Sequence, residues 1–215
     1  MKKLCLAAAV LAVAAFSHAG DTILEGIQAG VLMGGAAPLG GDSFVEALLD
    51  PASTTPNSYK EDFKAGFAWG FYAAGPISGL VGWRGELARD SVPFKKTTRV
   101  LADEFDSFDA NHHVFRFAWG IQIAPWESTA KGKPYGFVTM GLARESASVD
   151  TKKGNATTHF DLGATNNFGL SFGGGYNYKI RQNWGVGGDL HVNVGSFKDT
   201  TRWSWTPSAV GFYQF

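Results

Sequence analysis

At 215 residues the chain has the length of one domain, and single β-barrels of this size are routine. Its 19 basic and 19 acidic residues balance, and nothing in that balance suggests nucleic acid, which calls for a basic face. The lone cysteine, Cys5, excludes a disulfide framework and a zinc–thiolate site.

The first segment in chain order reads as an export signal. Lys2 and Lys3 make a basic start, Leu4 to Phe16 an apolar run, and Ser17-His18-Ala19 a small-x-small cleavage site. Residues 1–19 are therefore expected to be removed, leaving a barrel domain over 20–215. The apolar run falls short of the roughly 20 residues that a membrane helix needs. Cleavage takes Cys5 with it and leaves 17 basic against 19 acidic residues, a formal charge of −2.

From there the chain alternates with period two, the signature of a strand with one bulky face and one small or polar face. Ile27, Ala29, Val31 and Met33 open the series, with Leu32 breaking the alternation. A long connection over Pro38–Asp62 follows, in which Ser43 can cap a short helix to Leu49. The second strand sets Phe63, Phe67, Trp69 and Phe71 against Lys64, Gly66, Ala68 and Gly70. A short turn at Gly75–Gly79 leads to Val81, Trp83 and Leu87, which alternate with Gly82, Arg84 and Glu86. The long Asp90–Asn111 connection precedes Phe115, Phe117, Trp119, Ile121 and Ile123.

After Glu127–Pro134, the segment Tyr135–Ser146 carries bulky residues on both parities, so either face can point outward. A loop at Thr151–Thr158 precedes Phe168, Leu170, Phe172, Tyr176 and Tyr178, which alternate with glycine, serine and asparagine. A short turn at Arg181–Asn183 leads to Trp184, Val186, Leu190 and Val192. The last strand, after a loop at Lys198–Arg202, carries Trp203, Trp205, Tyr213 and Phe215 on one face, and Pro207 predicts a bulge in it.

Short turns on one side and longer loops on the other describe an eight-stranded antiparallel up-and-down barrel. Side-chain volume sets its polarity. The interior of an eight-stranded barrel is just wide enough to be filled by side chains, and so many Phe and Trp residues do not fit there. Glycine, alanine, serine and a few charged groups do. The bulky face is therefore expected to meet lipid. Trp126, Tyr135, Tyr178, Trp184, Tyr213 and Phe215 fall near the short-turn ends, and Phe63, Trp203 and Trp205 toward the other ends, as two lipid-facing girdles would.

The complementary face holds Lys64, Arg84, Glu86, Arg116, Asp189 and His191, expected as a polar network in the lumen. Such a network can tie strands together, or it can gate a narrow polar path as Arg84 or Arg116 exchanges between acidic partners. Catalysis needs a nucleophile, a base and an orienting group at one level. Ser196 has the wrong parity to join Asp189 and His191, whereas Ser171 on the neighbouring strand can approach His191. His112 and His113, adjacent in a strand, point to opposite faces; with Asp106, Asp109 and His159 they offer a loop cation site at most. No catalytic residue, metal or cofactor is expected.

The glycine-rich run Gly169–Tyr178, the turn after it, the run Gly185–Val194 and the closing Gly211-Phe-Tyr-Gln-Phe215 resemble the small OmpA-type and opacity-type outer-membrane barrels. The resemblance implies residence in a bacterial outer membrane as a monomer, and the even strand count puts both termini on the periplasmic side. The resemblance also implies contact with outer-membrane lipids and lipopolysaccharide, and Tyr213 and Phe215 as a signal to the barrel assembly machinery. These motifs are specific for the fold and uninformative about function; the function expected is a non-enzymatic surface role, through loops that bind an extracellular ligand or through envelope integrity. A narrow channel is the alternative, and a lipid-modifying enzyme a third.

Overall fold

The computed structural model describes residues 26–41, 60, 63–94, 107–197 and 200–215. The export segment, the Ser43–Leu49 helix and Asp106 lie outside them. Eight strands follow one another: β1 Gln28–Gly41, β2 Gly66–Ser78, β3 Val81–Pro93, β4 Ser107–Ile123, β5 Gly132–Lys153, β6 Ala156–Lys179, β7 Trp184–Phe197 and β8 Thr200–Gln214. Each pairs with the next, and β1 pairs antiparallel with β8, so the sheet closes into a barrel. The seam is reinforced at the chain end, where the Phe215 amide donates to the Ile27 carbonyl at 2.9 Å. Among the described residues no helix is long and apolar enough to cross a membrane; the strands provide the crossing.

The register shows how the alternation is used. Across β3, β4, β5 and β6, one outward row reads Leu87, Phe117, Leu142, Phe168, and the next row in the turn direction reads Gly85, Trp119, Met140, Leu170. Phe117 is 57% exposed, Leu142 66% and Phe168 65%, although a water-soluble protein would bury them. Trp83 and Trp119 stack on this outer surface with ring centroids 5.1 Å apart. A continuous apolar belt on a closed cylinder, with charge and glycine inside, is stable only against hydrocarbon.

Several sequence expectations change at this level. Tyr135 and Phe137 point inward and are buried, while Val138, Met140 and Leu142 point outward, which settles the parity of β5. Tyr135 is therefore not a girdle residue. Phe63 is fully buried and Lys64 exposed, the reverse of the expected parity. The alternation slips between Lys64 and β2: Phe63 forms an isolated bridge to Phe94, and the Lys64 amide donates to the Pro93 carbonyl at 3.0 Å. Leu32 continues the inward face of β1.

Pro207 shifts no register within β7–β8; instead the β1–β8 ladder skips the pairs beside it, and the bulge lies between Pro38 and Gly40 on β1. The expected loop at Thr151–Thr158 is strand almost throughout, turning only at Gly154-Asn155, where Gly154 has φ of 60°.

Candidate functional site

Two places concentrate polar chemistry, the lumen and the rim at the end of the long connections. The lumen is built in layers by inward positions of every strand. At its centre Arg84 of β3 is fully buried. Its guanidinium bonds Glu86 two residues along the same strand, Gln122 of β4 at 3.0 Å and Asp189 of β7 at 2.7 Å. Aromatic faces enclose the rest of the group, with the Phe137 centroid at 4.1 Å, Tyr72 at 4.7 Å and Tyr135 at 5.5 Å. His191 lies beside the carboxylates, its Nε2 3.2 Å from Asp189 and its Nδ1 3.8 Å from Glu86.

Nearer the rim, Arg116 of β4 pairs with Asp90 of β3, and Glu145 of β5 receives both Arg202 of β8 and His112 of β4, the latter at 3.1 Å. Ser171 donates to Asn193 at 2.8 Å, and Asn193 to Thr206 at 3.0 Å. Charges in this interior are thus bonded across strands, as burial demands.

Apolar groups close both ends of this column. Phe63 and Phe94 meet edge to face at 5.5 Å and pack with Val92, Ala110, Ala147 and Val149 at the rim end. At the opposite end Leu32, Tyr72, Val210 and Phe212 form a second cluster, against which Trp126 packs. Trp126 therefore folds under the barrel and is not part of a lipid-facing girdle. Its carbonyl accepts from Lys133 Nζ at 3.0 Å, which holds the turn in place. Glycines make room for the large inward rings: Tyr135 lies over Gly175, Phe137 over Gly173 and Phe212 over Gly185. The void left beside Arg116 and His191 is only about 10 Å³.

Of the residues expected inside, the structure places Arg84, Glu86, Arg116, Asp189 and His191 there and leaves Lys64 outside. It adds Asp90, His112, Glu145, Arg202 and Gln122. Asp90 and Arg202 were missed because both sat at the edge of an expected loop, and Glu145 because the parity of its strand was open. Tyr178, Trp184, Trp203 and Trp205 are exposed on the outer surface, and Tyr213 and Phe215 meet edge to face, half-buried, at 4.9 Å, with Trp184 at 5.1 Å from Tyr213.

Ser171 is bonded to Asn193 and not to His191, so no serine–histidine pair forms there. His113 faces outward to Ser91 at 2.8 Å while His112 faces in, and His159 bonds Asp150 at 2.6 Å. Among the described residues no group of three acidic, histidine or cysteine side chains is placed to hold a metal.

The rim is dominated by one hairpin. β5 has 22 residues and β6 has 24, whereas β3 has 13 and β7 has 14. The β6–β7 ladder runs only from Leu170–Val194 to Lys179–Gly185. From Ala156 to Gly169, among the described residues, β6 is laddered to β5 alone. A bulge at Ser146/Ser148, with Gly163 at φ 78° and its amide bonded to Asp161 at 2.9 Å, bends the hairpin there. Phe160 lies opposite Val149 on the axial face and is 48% exposed.

Comparison with known proteins bears on this architecture. No family model matches the chain, and no curated protein does. Among solved structures, Neisserial surface protein A superimposes with a TM-score of 0.52 at 16% identity, over 89% of this chain and 98% of that one. The fold is that of a bacterial outer-membrane barrel. The outer membrane protease OmpT from Escherichia coli matches with a TM-score of 0.51 at 8% identity, over 88% of this chain and 96% of that one. The attachment invasion locus protein of Yersinia pestis covers 87% of this chain and 98% of its own, at 12% identity and a TM-score of 0.46. At these identities the likeness is one of fold and does not extend to activity.

Proposed function

We propose that the protein is a non-enzymatic surface barrel of the outer membrane, whose protruding β5–β6 hairpin binds an extended polypeptide. The observation that carries this reading is that, among the described residues, β6 from Ala156 to Gly169 is laddered on one side only. A free strand edge presents unpaired amides and carbonyls, and an extended segment of a partner can pair with them as one more strand. Phe160 supplies an apolar anchor beside that edge. Both termini then lie on the periplasmic side, with the hairpin outside. Tyr213 and Phe215, at the closing strand, serve as the signal to the assembly machinery.

The packed lumen supports the same reading against a channel, since ionic groups fill its middle and aromatic clusters its ends. The test uses outer-membrane vesicles displaying the full chain against purified extracellular-matrix proteins with extended segments. A variant in which Ser148–Asp161 is replaced by a two-residue turn is expected to fold, to keep its heat-modifiable migration, and to lose binding. Undiminished binding by the trimmed barrel would contradict the proposal.

A further inference from the structure

We propose that Arg89 and Arg144, on the outer surface at the edge of the apolar belt, form a clamp for the phosphate group of an acylated membrane lipid. Register places them together. Arg89 of β3 is opposite Phe115 of β4, and Phe115 is opposite Arg144 of β5. The two arginines thus flank one phenyl ring, two strand spacings or roughly 10 Å apart, a gap that two long guanidinium side chains can close around one phosphate.

Their setting is amphipathic. On the belt side the outward neighbours are Leu87, Phe117 and Leu142. On the rim side they are Ser91, His113 and Ser146. A lipid lying along β3–β5 would set its chains on the first row and its headgroup on the second. An arginine facing hydrocarbon is costly at the bilayer midplane and nearly free at the interface, so this row marks the interface itself.

The contrast with the interior is informative. Arg84, Arg116 and Arg202 each have a carboxylate partner. Among the described residues neither Arg89 nor Arg144 has one within 4.0 Å, and both are exposed. The acidic residues next to them in sequence, Asp90 and Glu145, point inward and are bonded to Arg116 and Arg202. Two exposed cations with no carboxylate within 4.0 Å among the described residues, in register across an aromatic floor, fit a doubly accepting anion such as a phosphate monoester. That this lipid belongs to the outer leaflet rests on the orientation proposed above; the clamp itself does not.

The experiment is native mass spectrometry of the full mature barrel in micelles. It is titrated with an acylated disaccharide bisphosphate, with the same lipid after phosphatase treatment, and with inorganic phosphate alone. The phosphorylated lipid is expected to bind about tenfold tighter than the dephosphorylated one. R89Q/R144Q should remove that difference, while R181Q, at a turn on the opposite end, should keep it. Inorganic phosphate competing as well as the lipid would show that the anion alone is recognised and would overturn the lipid assignment. Equal binding of the two lipids, or an unchanged preference in R89Q/R144Q, would overturn the clamp. The single variants R89Q and R144Q, each halving the site, read the same preference if the double variant does not fold.

Discussion

Arg84, fully buried, holds one positive charge between two carboxylates. Removing one partner of such a group leaves uncompensated buried charge, which costs more than the pair contributes. Arg84→Met is therefore expected to destabilise the barrel by about 3–5 kcal/mol. The triple variant Arg84→Met, Glu86→Gln, Asp189→Asn should recover most of that loss. Urea unfolding in lipid vesicles measures both, and equal stability of the single variant and the parent would refute the account of the network.

These residues were legible in the sequence because each sits in a strand whose parity is unambiguous. Tyr135 was not, since β5 carries rings on one face and branched chains on the other, and volume alone cannot choose between them. The deciding signal lies on the neighbouring strand, where Gly173 and Gly175 leave the hollow that Phe137 and Tyr135 fill. Lys64 and Phe63 were misassigned for a different reason: the backbone slips by one position before β2, and alternation carries no record of a slip.

At the scale of the element, the β5–β6 hairpin continues past the belt from Arg144 to Lys153, about 30 Å along the strand at roughly 3.3 Å per residue. Its length was not legible, because threonine, serine and lysine beyond the membrane alternate without a hydrophobic face to reveal them. Main-chain pairing with β4 up to Ser107–Lys152 and the apolar contact of Val149 with the Phe63 cluster hold its base. The outer part makes few such contacts. Trimming Ser148–Asp161 also removes Val149 and the outermost β4–β5 pairs, so it should lower the thermal midpoint while the barrel still folds, whereas Phe117→Arg in the belt should cost about 2–4 kcal/mol. A trimmed chain that fails to fold would place the hairpin in the core of the structure and not in its binding surface.

For the whole molecule, the sequence carried the fold class in full: eight strands, closure and polarity all follow from period two and side-chain volume. It carried the function poorly, because the lumen that dominates its polar residues is a packed interior. With about 10 Å³ free beside Arg116 and His191 and aromatic clusters at both ends, planar bilayers containing the purified protein should show no resolved single-channel steps. Steady openings that change in Arg116→Ala would favour the channel reading. The claim beneath all of these is that indole and phenyl groups of the outer face touch acyl chains. Single-tryptophan variants in vesicles of acyl-brominated lipid test it directly. A chain retaining only Trp119 is expected to be strongly quenched and one retaining only Trp126 to be nearly unaffected; comparable quenching of the two, or none of Trp119, would contradict it.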